Sequence, residues 1–244
     1  MTSDPNLSGR RIVITGAGRG LGRALAIRAA DHGANPVLLG RNPAALHKVA
    51  DAIKSRTGRD VAIVPCDLAQ ADSIRDACRA VLAANPVVDV LINNGAPWLP
   101  GGITELADTE IATTVAAAVT GTILVTKGLL PGLRQSSAAD VVTIVSTAGW
   151  TGWDVGGTSA AFHAAKHGQS GFSDALRHEL KDQGIRVTAI YPPDFDDADP
   201  LASDWNQTGG KLSNREVVGT VLFAITAPRA CAYPVIILDH LPAR

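Results

Sequence analysis

Residues 15–22 read Thr15-Gly16-Ala17-Gly18-Arg19-Gly20-Leu21-Gly22, between an aliphatic run and a helix-like stretch. Glycines so placed let the backbone turn tightly and bring its N–H groups close to an anion. The following helix adds the positive end of its dipole, so the segment suits a phosphate-bearing ligand. The spacing is T-G-x-x-x-G-x-G. The alternative G-x-G-x-x-G pattern would need glycine at position 21, where leucine stands.

A phosphate cradle works only if a strand delivers the turn and a helix receives it. The chain supplies both repeatedly. Short aliphatic runs lie at 11–15, 36–39, 61–64, 88–92, 141–146, 185–191 and 235–238. They lack polar alternation, as expected of strands covered on both faces of a parallel sheet. Helical stretches are predicted between them at 21–31, 43–56, 71–82, 104–127, 160–181 and 214–225. The alternation predicts a single doubly wound, Rossmann-type α/β domain over residues 1–244, with a seven-stranded parallel sheet and helices on both faces. The only sizeable interruption, residues 192–212, is expected to be a substrate lid.

Composition narrows the function. The 244 residues include 22 Lys and Arg against 23 Asp and Glu, and 46% are hydrophobic. That balance disfavours disorder, and it gives no electrostatic hold on nucleic acid. Cys66, Cys78 and Cys231 are too few and too scattered for a disulfide framework or a zinc site, so no metal is expected. The polar opening, Met1 to Arg10, lacks the character of an export signal. The longest uncharged stretch, Ile111 to Thr126, carries five threonines and falls short of the roughly 18 apolar residues of a membrane span. A cytoplasmic location without membrane contact is expected.

Together these motifs resemble the short-chain dehydrogenase/reductase family, and the resemblance extends over essentially the whole chain. Thr15, Gly16, Gly18, Arg19, Gly20, Leu21 and Gly22 form the glycine motif. Asp67-Leu68 after the third strand resembles the family's adenine contact. Asn93-Asn94-Gly95 after the fourth strand is similar to the family's N-N-A-G, with the last two residues exchanged to Gly95-Ala96. The resemblance implies a nicotinamide dinucleotide. The second strand ends Leu39-Gly40-Arg41-Asn42, without the acid that would bind a ribose 2′-hydroxyl. Arg41, joined by Arg19, suits a 2′-phosphate, so NADP(H) is the expected cofactor.

At the reactive end the resemblance is incomplete. The family uses an asparagine, a serine, and a tyrosine and lysine spaced Y-x-x-x-K. The resemblance places Ser146 as the carbonyl-polarising serine and Lys166 as the lysine that also holds the nicotinamide ribose. The tyrosine position is Phe162 and the asparagine position is Ala118, neither of which can move a proton. The family's Pro-Gly after the sixth strand reads Pro192-Pro193, with Pro192 expected against the nicotinamide. His163, one residue along the helix, is a candidate replacement donor, and Tyr191 ends the sixth strand at the same sheet edge. Trp98, Trp150 and Trp153 follow strands four and five, where pockets of open α/β sheets form, and are expected around a small-molecule substrate. The family's helix-to-helix packing implies a homodimer or homotetramer. The expected function is NADP(H)-dependent oxidation or reduction of a small carbonyl or alcohol with an altered catalytic set. The alternatives are a silent NADP(H)-binding homologue, or a non-redox isomerase, dehydratase or cyclase on the same scaffold.

Overall fold

The computed structural model describes residues 6–152, 156–205 and 212–240. Seven parallel strands form one sheet: β1 (Arg11–Thr15), β2 (Asn35–Gly40), β3 (Ala62–Pro65), β4 (Val90–Asn93), β5 (Asp140–Ile144), β6 (Arg186–Tyr191) and β7 (Val235–Ile237). Their spatial order is β3-β2-β1-β4-β5-β6-β7. The chain winds outward from β1 in one direction and, from β4, in the other. A crevice therefore opens at the carboxyl ends of β1 and β4, where ligands of such sheets bind.

Helices α1 (Gly20–Asp31), α2 (Pro43–Thr57), α3 (Ala71–Ala84), α4 (Asp108–Val115), α5 (Thr122–Leu133), α6 (Ala160–Leu180) and α7 (Asn214–Thr226) cover the sheet. One core cluster joins β1 and β4 to α1, α2 and α7 through residues such as Ile14, Leu25 and Val221. The other joins the opposite face to α3, α5 and α6 through Leu91, Leu129 and Leu176. Strands β1, β4 and β5 are buried at every position, which matches the aliphatic runs 12–14, 90–92 and 141–142 at their centres.

The predicted helix over 104–127 differs from the one found. It begins at Asp108, where the Glu110 carboxylate accepts the Ala107 amide (3.0 Å), and continues to Leu133. A π-helical turn, Ala116–Gly121, separates α4 from α5 and contains Ala118. By length and composition the whole stretch Asp108–Leu133 could cross a membrane. Here it forms a layer of the fold, with Val125, Leu129 and Leu133 fully buried.

At the sheet edge opposite the crevice, the buried Asp140 carboxylate is surrounded by three arginines. Arg10 lies at 2.7 Å, Arg186 at 2.6 Å and Arg229 at 3.1 Å. Further donors of these arginines reach backbone carbonyls, among them Ala138, Ile225, Ala227 and Gly184. The cluster ties the starts of β5 and β6 to the segment between α7 and β7. Removing a buried ion's partner typically costs about 3–5 kcal/mol, because the surviving charges stay desolvated. Asp140→Ala is therefore expected to lower unfolding free energy in urea by about that amount. A loss below about 1 kcal/mol would show that the carbonyl acceptors alone suffice.

Candidate active site

The crevice is built on a contact between the ends of β1 and β4. The Thr15 hydroxyl oxygen accepts the amides of Asn94 (2.9 Å) and Gly95 (3.0 Å), and the Asn94 side-chain amide donates to the Thr15 carbonyl (3.1 Å). The glycine turn folds against this clasp. Gly16 has φ +67°, and a side chain on Gly22 would put its Cβ 2.2 Å from the Gly16 carbonyl oxygen. No other residue fits at position 22 without moving the turn.

Two cavities follow from this packing. The first, about 650 Å³, is lined by Gly16, Gly18, Arg19, Gly20, Leu21 and Gly22, with Arg41, Asp67, Leu68 and Gly95. Arg19 supplies no side-chain cap to α1, and the first turn of α1 carries no acid. The first-turn amides thus keep their capacity for an anion. Arg19 and Arg41 are exposed and join no ion pair among the described residues. One group works the other way: Asp197 also lines this cavity, its carboxylate bonded to the Asn214 side chain. Cys66 lines it too, but burial pushes its thiol up to about 12, which leaves it unreactive.

The second cavity, about 690 Å³, holds Ser146, Phe162, Lys166 and Pro192. Leu21, Asn94 and Ala96 line both cavities, so the two are halves of one cleft. Ser146 has φ 127° and ψ 153°, a region that non-glycine residues avoid at a cost of about 1–3 kcal/mol. The flanking bonds from the Val145 amide to the Ile190 carbonyl and from the Thr147 amide to the Pro192 carbonyl hold it there. Lys166 is buried, and its ammonium position lies 5.6 Å from the Phe162 ring. Its Nζ donates to the Ile144 carbonyl (3.2 Å) and to Gln169 Oε1 (2.8 Å). Desolvation brings its pKa down to about 7.

Several expected residues lie elsewhere. Asn93 is buried, bonded to Thr126 (3.1 Å), and lines neither cavity; its neighbour Asn94 faces the cleft instead. Thr15 acts through the clasp and not by lining a cavity. Ala118 is buried in the π-helical turn, while Ala117 reaches the first cavity. His163 lines neither cavity, because one residue along α6 turns it about 100° from Phe162. Tyr191 is fully buried, with its hydroxyl bonded to Ser170 (2.8 Å) and its ring edge-on to Trp150 at 5.2 Å. Trp150 is thus engaged in packing, and only Trp98, 62% exposed, lines the second cavity among the described tryptophans. Trp153 lies outside the described residues.

The expected lid, described at 192–205 and 212, is tethered. Asp199 pairs with Arg23 on α1 (3.0 Å), and Trp205 packs into the core beneath Arg28. Asp239 and His240, which follow β7 and also line the second cavity, carry no local signal in the sequence. The β6–β7 crossover brings them there from a distant part of the chain.

The profile of the short chain dehydrogenase family matches residues 10–208. The chain belongs to this family. Among its relatives is an uncharacterized oxidoreductase of Staphylococcus aureus (strain MRSA252), 28% identical over 224 residues, which cover 91% of this chain and 94% of that protein. A metagenomic short-chain oxidoreductase solved in complex with NADP is 25% identical with a TM-score of 0.80, covering 95% of this chain and 97% of that one. L-Sorbose reductase from Gluconobacter frateurii, solved with NADPH and L-sorbose, shares the fold at a TM-score of 0.83, with 23% identity and 97% of each chain covered. Family membership makes the chain an oxidoreductase of the short-chain type.

Proposed function

We propose that this protein uses NADP(H) to reduce or oxidise a small carbonyl or alcohol, with a catalytic set in which the usual phenol is absent. The observation that carries the reading is the continuity of the cleft: a phosphate-binding half meets a half containing Ser146 and Lys166 at Leu21, Asn94 and Ala96. The glycine turn and uncapped α1 would hold the pyrophosphate, Asp67 and Leu68 the adenine, and Arg41 with Arg19 the 2′-phosphate. When bound, the nicotinamide supplies or accepts a hydride.

The chain's own residues do the rest. The Ser146 hydroxyl is placed to donate to a substrate oxygen, and its strained backbone fixes where that hydroxyl sits. The Phe162 ring fills the volume of a tyrosine without offering a proton. Lys166 stands beside that ring as a buried amine close to its titration point at neutral pH. The proton for a developing alkoxide therefore comes from Lys166 or from the substrate itself. Phe162 and Ala118 also favour a second reading, a dinucleotide-binding member without turnover, which predicts binding and no oxidation of NADPH.

Two experiments test this reading. Titration calorimetry should show NADPH binding more tightly than NADH, with Arg41→Ala weakening NADPH by about tenfold and leaving NADH unchanged. Equal affinities would remove the 2′-phosphate assignment. Phe162→Tyr should raise carbonyl-dependent NADPH oxidation by about 10²-fold or more, the usual worth of a positioned general acid. No gain would show that the site no longer uses an acid at that position.

A further inference from the structure

Lys166 is set up differently from a lysine meant to stay charged. Among the described residues, no carboxylate lies within hydrogen-bond distance of its Nζ, and the partners there are the Ile144 carbonyl and Gln169 Oε1. Gln169 in turn donates from its side-chain amide to Thr122 Oγ1 at 3.0 Å. An ammonium brings three N–H donors, whereas a neutral amine brings two and a lone pair. Two neutral acceptors match the amine, and burial favours the same form. Phe162 adds only a ring face at 5.6 Å, and elements β5, α5 and α6 present no ionisable group to the nitrogen among the described residues. Among the described residues, the remaining ionisable groups of the cavity are Asp194, Asp239 and His240, all exposed. An unprotonated amine in an apolar pocket is a nucleophile.

We propose that Lys166 captures small, uncharged, apolar aldehydes as imines within the second cavity. The lone pair of Nζ adds to the carbonyl carbon, and the nitrogen's proton passes to the carbonyl oxygen, giving a carbinolamine. Loss of that hydroxyl as water leaves the C=N bond, and hydrolysis reverses the sequence, so neither oxidant nor reductant is consumed. Ser146 lines the same cavity and is placed to donate to the oxygen as it leaves. Trp98, Phe162, Phe195 and Pro192 give the walls their apolar character, and Asp194 and Asp239 disfavour acidic aldehydes. The proposal rests on the carbonyl site described above but requires no dinucleotide.

The test is reductive trapping on the whole protein without cofactor. Benzaldehyde and sodium cyanoborohydride convert an imine to a stable benzylamine, the hydride coming from the added reagent, and peptide mass spectrometry locates it. At about pH 7.5, Lys166 should be labelled about tenfold faster than the exposed Lys48 and Lys54, with a rate midpoint near neutrality. Gln169→Glu places a carboxylate beside the nitrogen and should raise that midpoint by about one pH unit or more. Labelling of Lys166 no faster than Lys48 and Lys54, or a midpoint unmoved by Gln169→Glu in a variant with native circular dichroism, would overturn the proposal. NADPH oxidation is measured separately. Failed trapping with intact oxidation removes the imine and leaves the oxidoreductase reading, and trapping without oxidation does the reverse.

Discussion

The Thr15 hydroxyl binds the carboxyl end of β1 to the first two residues beyond β4. This is where the sheet order reverses, so the clasp decides how the two halves of the fold meet. The glycine turn lies against Asn94, and a Cβ at position 22 would meet first the Gly16 carbonyl oxygen (2.2 Å) and then Asn94 Nδ2 (2.7 Å). Asn94, held at its backbone and side chain, then becomes a wall of both cavities. A slack joint here would separate the phosphate end from the reactive end. The rest of the fold serves the same geometry: two hydrophobic layers fix the sheet, and the Asp140 cluster fixes its far edge.

The two halves of the cleft differ in character. The first cavity has its glycines, an uncapped helix and two arginines that join no ion pair among the described residues, although Asp197 stands beside it as a local source of repulsion. Around the second cavity, the polar groups are bonded to the protein itself. Lys166 is engaged by Ile144 and Gln169, and Tyr191 is committed to Ser170 and Trp150. Phe162 offers no proton of its own. Its ring lies beside a buried amine, and the amine's own chemistry gains importance.

Much of this was legible in the sequence for physical reasons. Strands buried on both faces are aliphatic at their centres, so their runs are visible in the sequence. The glycine turn was legible because only glycine tolerates the approach at position 22. Other features left weaker marks. Whether Asn93 or Asn94 faces the cleft depends on where β4 ends, and the sequence resemblance pointed to Asn93. The π-helical turn around Ala118 carries no signature residue. Asp239 and His240 reach the cavity only through tertiary structure. The Lys166–Gln169 pair was legible in principle, since residues three apart share a helix face.

The central claim is that one continuous cleft, joined at Asn94, receives the dinucleotide across both halves. Hydrogen–deuterium exchange during an NADPH titration tests it most directly. Amides of residues 16–22 and of residues 144–149 should gain protection together, with the same NADPH midpoint. Protection confined to residues 16–22, at saturating NADPH, would contradict the account.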